Sequence, residues 1–170
     1  CVIGACQTIA PITQAAAYAA IADGGVFCNP IIVDQVVDAR GAVLPGQDAG
    51  CASSSLLTPD VVNTAAYAMQ QVFVSGGTAI LANPGDGTPY LGKTGTTDFS
   101  HQTWTVGSSR QASTALWVGN IIGPPGGPGA TQQLRRIYVG GIQAASIRNN
   151  IFKAMARAID AQPGFGGGTF

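Results

Sequence analysis

The sequence predicts an α+β fold in which helices alternate with short antiparallel strands. Helix-prone stretches, alanine-rich or amphipathic, recur at 11–22, 58–74 and 144–161. Runs rich in β-branched and aromatic residues follow one another closely at 90–96, 103–108 and 113–120. Their short connections are typical of an antiparallel meander, against which the last helix is expected to pack.

The first helix, 11–22, reads PITQAAAYAAIA, in which the alanines favour helix and Pro11 lies in the first turn. Gly24 and Gly25 follow it, as glycine often follows a helix C-terminus. The next segment, 31–44, starts with the β-branched run IIVDQVV and contains a turn at DARG. This pattern predicts a hairpin.

The second helix, 58–74, has an N-cap candidate in Thr58, followed by Pro59 in the first position and Asp60 in the first turn. The sequence Ser-Gly-Gly after Val74 is expected to end it.

The last helix, 144–161, is amphipathic. The apolar residues that are expected to face the sheet are Ile147, Ile151, Phe152, Met155 and Ile159. The glycine-proline run 123–129 is incompatible with a helix or a central strand and is expected to be an insert. The tail, 163–170, is expected to be disordered.

The four cysteines, Cys1, Cys6, Cys28 and Cys51, all lie in the first third of the chain. They lack CxxC spacing and only one histidine accompanies them, which argues against a zinc site. Disulfide pairing would indicate an oxidising, extracytoplasmic setting. Of the three connectivities we favour Cys28–Cys51, whose ends the predicted hairpin would bring together, with Cys1–Cys6 as a local loop. Free buried thiols are the alternative.

The overall composition excludes several classes of protein. Eight basic and eight acidic residues cancel, so no basic surface for nucleic acid is indicated. No apolar run reaches the roughly 20 residues of a membrane span. Only 9% of the residues are charged, against about 25% in an average domain, which indicates a neutral surface or one covered by a partner. Since the chain starts at Cys1 without a targeting segment, we expect an excerpt of a longer chain.

The stretch YLGKTGTTD, 90–98, carries the candidate chemistry. In a strand, Lys93 and Gly95 share one face while Thr94 and Thr96 share the other. Gly95 leaves room for a ligand against the backbone, and the Thr96 N–H can donate to a developing oxyanion. The threonine hydroxyls and the lysine can hold a carboxylate. The alternative is a solvated edge strand whose lysine prevents aggregation.

The same stretch also satisfies the letters of a phosphate-binding loop, counted from Gly87. A phosphate-binding loop must open a helix, however, whereas these residues lead into a strand. We therefore exclude a nucleotide site.

The sequence KTGTTD resembles the KTG box of penicillin-binding proteins. The flanking sequences VFVSGGTAILA, TWTVGSSRQASTALWVGN and GGIQAASIRNNIFKAMARAI are similar to the family's segments around that box. The resemblance is to the C-terminal part of the transpeptidase domain of a class A, bifunctional member. The cysteines and the low charge point to an actinobacterial one. The implied fold is a partial penicillin-binding/serine β-lactamase-like fold.

The resemblance implies a D,D-transpeptidase that cross-links peptidoglycan stem peptides through a serine acyl-enzyme and that β-lactams inhibit. Carried over by position, the catalytic candidates are Lys93 and Thr96. The substrate-binding candidates are Thr94, Gly95, Thr96 and Thr97. The resemblance implies no metal and no cofactor.

The sequence departs from the family pattern in having no S-x-x-K motif and no S-x-N motif. We expect residues 1–162 to be the C-terminal portion of one domain, inactive alone, whose partner is the N-terminal portion. The parent protein is expected at the extracytoplasmic face of the bacterial membrane, with its anchor elsewhere. Two alternatives stay open: an inactive module that binds β-lactams or muropeptides, and a serine β-lactamase relative.

Three aromatic residues near the box are expected to be structural. His101 is interpreted as a surface residue, since a lone loop histidine is more often solvated than catalytic. Trp104 and Trp117, on neighbouring strands, are expected in the core.

Overall fold

The computed structural model of the chain describes residues 8–46, 48–120 and 132–170. The elements, in chain order, are α1 (Pro11–Ala22), β1 (Val26–Phe27), β2 (Ala52–Ser53), α2 (Pro59–Gln70), β3 (Leu91–Thr96), β4 (Gln102–Ser108), β5 (Ser113–Gly119), β6 (Tyr138–Val139), β7 (Ile142–Gln143) and α3 (Ala144–Asp160). Short 3-10 turns lie at Ile80–Ala82, Asp98–Ser100 and Leu134–Arg136. The predicted α+β class is confirmed, and the predicted insert 123–129 lies outside the described residues.

The central sheet is an antiparallel meander in the order β3-β4-β5. Its register aligns Gly95 with Trp104 and Trp104 with Trp117. The three strands were predicted to within one residue at each end. β3 is an edge strand, because no other strand of the described residues pairs with its outer side.

Helices cover both faces of this sheet. On one face, Leu91 of β3 packs in a cluster with Ala22 of α1 and Ala66 of α2. On the same face, the Ser113 hydroxyl donates to the main-chain oxygen of Ala15, 2.7 Å away. α3 packs on the opposite face, where its Phe152 ring lies against Gly107 of β4.

Three aromatic rings form the core between α3 and the sheet. Phe152 lies 5.5 Å from Phe73 and 5.8 Å from Tyr90, measured between ring centroids. The rings reach the sheet because Gly107 has no side chain: a Cβ there would lie 2.6 Å from the Phe152 ring and 2.8 Å from Phe73. The Tyr90 hydroxyl donates to Asp160, 3.0 Å away, and burial together with this carboxylate raises the pKa of Tyr90. Tyr90 therefore stays a neutral donor.

The predicted face of α3 is right for Phe152, which is buried in the core, and wrong for two of its neighbours. Phe152 and Ala156 are buried as part of this cluster, and Asn149 is buried as well. Ile151 and Met155, predicted to face the sheet, are 39% and 41% exposed. The prediction was wrong for these two residues because the buried side of the helix is the one that carries Asn149, Phe152 and Ala156, which leaves Ile151 and Met155 at its border.

The predicted hairpin, 31–44, is reduced to a single bridge between Val37 and Val43. Asp38 holds the turn, because its carboxylate accepts from the N–H groups of Arg40 and Ala42 at 2.8 and 2.9 Å. Residues 31–35 form no strand in the structure. Strand propensity depends on a partner to pair with, and this run has none among the described residues.

The second helix ends at Gln70 rather than at Val74. Beyond it, the main-chain oxygens of Val72 and Phe73 accept from the Ala79 N–H (2.8 Å) and the Asn83 side chain (3.0 Å). These bonds turn the chain so that Phe73 enters the core.

Residues 163–170, predicted to be disordered, lie against the domain. The Gly167 N–H donates to the Thr88 hydroxyl at 3.1 Å. Phe170 packs against the cluster around Leu91. The prediction followed from the position of the segment at the end of the given sequence and did not count Phe170 as an anchor.

Cys28 and Cys51 form a disulfide, whereas Cys1 and Cys6 lie outside the described residues. The favoured pair is therefore present, but the reason for it was wrong. The cysteines are brought together by the pairing of β1 with β2, which opposes Phe27 and Ala52. The hairpin turn lies in the loop that the disulfide closes.

Replacing both Cys28 and Cys51 with serine is expected to lower the free energy of unfolding by about 3 kcal/mol. The bond closes a loop with a sequence separation of 23, for which the chain-entropy relation gives about that value. Urea unfolding of the oxidised protein and of the double variant checks this. The unsubstituted protein with excess reductant should match the variant, and equal midpoints for all three samples would contradict the expectation.

Candidate active site

The four residues Lys93, Thr94, Gly95 and Thr96 (the KTGT segment) occupy the second half of the edge strand β3. The register places Lys93 opposite Val106 and Thr94 opposite Thr105. Because cross-strand partners share a face, Lys93 and Gly95 lie on the face that α1 and α2 cover, and the two threonines lie on the α3 face.

Main-chain groups of the KTGT segment point to the free edge of the sheet. The Thr97 N–H donates to the Gln102 oxygen at 3.0 Å. Since bonded and non-bonded pairs alternate in an antiparallel ladder, the N–H and C=O groups of Thr96 and Thr94 point away from β4. The Lys93 ammonium group donates to this outward Thr94 oxygen at 2.9 Å. The edge thus offers an N–H and a C=O that an extended peptide can pair with.

The two threonine hydroxyls of the segment each have a partner from another element. Thr94 Oγ1 lies 2.7 Å from Thr78 Oγ1. Thr96 Oγ1 accepts from Arg148 Nη1 of α3 at 2.9 Å, and the same nitrogen donates to the Gly95 oxygen at 2.8 Å. The hydroxyls are therefore held in place before any ligand binds.

Arg148 is half-buried between α3 and β3, and this burial lowers its pKa. Its Nε atom is buried and has no hydrogen-bond partner. The guanidinium and Lys93 approach the strand from opposite faces, so the KTGT segment lies in a positive local field.

The fold itself does not require glycine at position 95. Its φ is not positive, and an added Cβ would meet only Trp104, at an ordinary 3.5 Å. Gly92, three residues earlier, differs: a Cβ there would collide with the Val106 oxygen and lie 2.8 Å from Phe73. Neither packing nor backbone conformation therefore explains the glycine at 95.

Thr97, the fifth predicted site residue, is used by the turn after β3. Its hydroxyl accepts from the Gln102 N–H at 3.0 Å and lies 3.3 Å from the Gln102 oxygen, to which it donates. Thr97 thus closes the turn, while the other four predicted residues lie together along the strand.

The connection from β3 to β4 carries the exposed ring of Phe99 and the partly buried ring of His101. Phe99 and Ser100 both have a φ of 57°, an unusual backbone conformation for residues other than glycine. The Phe99 ring stacks on His101, with 5.9 Å between centroids. Trp104 and Trp117 are half-buried rather than in the core, because they lie opposite each other near the end of the sheet.

Sequence reasoning missed Thr78 and Arg148. A signal for Arg148 exists, because it precedes Phe152 by four residues and therefore lies on the same side of the helix. Composition gives the opposite expectation, because arginine side chains are mostly exposed. No local pattern pairs Thr78 with Thr94.

The family model of the penicillin-binding protein transpeptidase domain matches residues 2–139. This match covers most of the chain. The chain belongs to the family of penicillin-binding protein transpeptidase domains.

Curated relatives agree with this assignment. Penicillin-binding protein 1A of Clostridium acetobutylicum is 34% identical over 112 residues, which cover 64% of this chain and 13% of the relative. Penicillin-binding protein 1A of Mycobacterium tuberculosis is 34% identical over 128 residues, 72% of this chain and 15% of the relative. The predicted relationship to class A members is thus confirmed. An actinobacterial origin stays a prediction, since the two identities are equal.

A solved structure shares the fold. Penicillin-binding protein A from M. tuberculosis, in its imipenem acyl-enzyme complex, matches 88% of this chain and 33% of its own with a TM-score of 0.50 and 18% identity. The fold is therefore that of a penicillin-binding transpeptidase. The chain spans 13% and 15% of the length of these two curated relatives. It spans 16% of a third, penicillin-binding protein 1A of Clostridium tetani.

Proposed function

We propose that this chain supplies the KTG strand of a D,D-transpeptidase that cross-links peptidoglycan stem peptides through a serine acyl-enzyme. The observation that carries the proposal is the unpaired edge of β3. It combines an outward N–H at Thr96, pre-positioned threonine hydroxyls, and a glycine at 95 that neither packing nor backbone conformation requires.

In this mechanism the acyl-donor peptide lies extended along the free edge of β3, where main-chain bonds to Thr94 and Thr96 orient it. The Thr96 N–H donates to the carbonyl oxygen under attack and stabilises the charge that develops there. The Thr94 and Thr96 hydroxyls bind the terminal carboxylate, and Lys93 adds positive potential. A β-lactam would occupy the same edge.

The nucleophile belongs to the S-x-x-K motif of the same domain, a motif that the 170 residues do not contain. We place residues 1–162 as the C-terminal portion of that domain, with the N-terminal portion as its partner and inactivity as the expected state of the isolated chain. Exposed apolar side chains support this: Val61, Tyr67 and Leu81 are 52%, 71% and 65% exposed. Packing of the N-terminal portion against these side chains would bury apolar area.

We propose further that the active domain lies outside the cytoplasm, with a membrane anchor elsewhere in the parent protein. The Cys28–Cys51 disulfide supports an oxidising compartment. Within the described ranges, no helix has the length and apolarity needed to span a bilayer.

Labelling with a fluorescent penicillin tests the function. The complete parent protein should form a covalent adduct that survives denaturation, and the 170-residue chain alone should form none. A folded parent protein without any adduct would contradict the proposal. An adduct without peptide cross-linking would indicate a binding module, and rapid hydrolysis of a chromogenic β-lactam would indicate a β-lactamase.

A further inference from the structure

Arg148 is the residue of α3 that contacts the KTGT segment most directly. One nitrogen, Nη1, donates both to the Gly95 oxygen at 2.8 Å and to Thr96 Oγ1 at 2.9 Å. The first bond holds the main chain beside the glycine, and the second holds the hydroxyl next to it. Replacing Arg148 therefore removes a support from both Gly95 and Thr96, the two positions at which a ligand would be held.

The charge of Arg148 lacks an ionic partner in the part of the chain that the structure describes. Burial is the influence that lowers its pKa, and no carboxylate of the described residues offsets it. The Nε–H is buried without an acceptor. Burying a cation without an anion is unfavourable. An anion bound near the strand would compensate this charge.

The hydrogen bond to Thr96 also has a direction. A guanidinium only donates, so Thr96 Oγ1 must accept from Arg148. The hydroxyl proton of Thr96 is then left to donate elsewhere. A carboxylate lying along the edge is an acceptor for that proton, and the adjacent charge strengthens the bond.

We propose that Arg148 is a positioning residue that fixes the Thr96 hydroxyl as a donor and thereby selects acyl donors that end in a carboxylate. This inference rests on the proposed function. Lys93 supplies positive charge on the other face of the strand. The carboxylate therefore lies between two cations, Lys93 and Arg148. Arg148 acts through Thr96 and need not touch the ligand.

The test compares one penicillin with its methyl ester, which lacks the negative charge. In the complete parent protein, Arg148→Gln should lower the second-order acylation rate of the penicillin by about tenfold or more, the size expected for a hydrogen bond to a charged group. The acylation rate of the ester should fall much less, because the ester has no negative charge for the Thr96 hydroxyl to bind. Mass spectrometry of the acylated protein measures both rates.

Arg157→Gln is the matched control. Arg157 also lies on α3 and also donates to a main-chain oxygen, that of Pro84 at 2.7 Å, but at the other end of the helix. Its loss should leave the ratio of the two rates unchanged. Arg148→Lys keeps the charge and should restore part of the lost rate, and it replaces Arg148→Gln if that variant does not fold.

A second comparison tests the action through Thr96. The Thr96→Val variant should show the same loss of preference for the penicillin, and adding Arg148→Gln to it should lower the rate little further. Equal losses for penicillin and ester, or independent effects of the two substitutions, would overturn the proposal. Failure of the unsubstituted parent protein to acylate at all would overturn the proposed function instead.

Discussion

The Gly95→Ala variant of the complete parent protein should stay folded and yet react with penicillin about 100-fold more slowly. An added methyl group displaces an edge-bound ligand by about 1 Å, and a misplacement of that size costs about this factor in rate. The fold tolerates the methyl group, because its nearest neighbour is the Trp104 side chain at 3.5 Å. Penicillin acylation rates and thermal unfolding of the same sample check both halves of the expectation.

Gly92→Ala is the control on the same strand. Its methyl group would collide with the Val106 oxygen and with Phe73, so the loss should appear as reduced stability instead of a slower reaction per folded molecule. If Gly95→Ala reacted at the unsubstituted rate, the ligand would not lie against the backbone at this position, and the proposed docking along β3 would be wrong.

The central sheet and its register could be predicted because the information is local. Alternation along β3 fixes which residues share a face, and the short turn before Ser113 fixes the order of the strands. The KTGT segment was therefore found as a strand with Lys93 and Thr94 on opposite faces. The hairpin at 31–44 failed because its pairing partner was assumed from composition alone.

The surroundings of the candidate site could not be predicted, because they depend on how α3 lies on the sheet. Burial of Phe152 against Gly107 sets the rotation of the helix, and this rotation brings Arg148 to Thr96. A helical wheel instead favoured the side that carries Ile151 and Met155. The contact that holds the Thr96 hydroxyl therefore depends on packing between segments more than 40 residues apart. Arg148 and Thr96 are separated by 52 residues.

Phe152→Ala should lower the free energy of unfolding by about 3–5 kcal/mol, the usual range for removing a buried phenylalanine. Phe152 is fully buried and touches two other aromatic rings. Gly107 beneath it has no side chain that could fill the space, so a cavity remains. Urea unfolding of the complete parent protein measures the loss, and Ile151→Ala, at the neighbouring and partly exposed position, should cost less than about 1 kcal/mol.

The two substitutions also test which side of α3 holds the helix on the sheet. If the apolar stripe through Ile151 and Met155 were the face that holds the helix, Ile151→Ala would be the more damaging change. If the aromatic cluster holds it, Phe152→Ala loosens the helix that carries Arg148 and should slow acylation as well as lower stability. Comparable losses from both variants would mean that neither cluster alone fixes the helix, and the contact between Arg148 and Thr96 would then need another support.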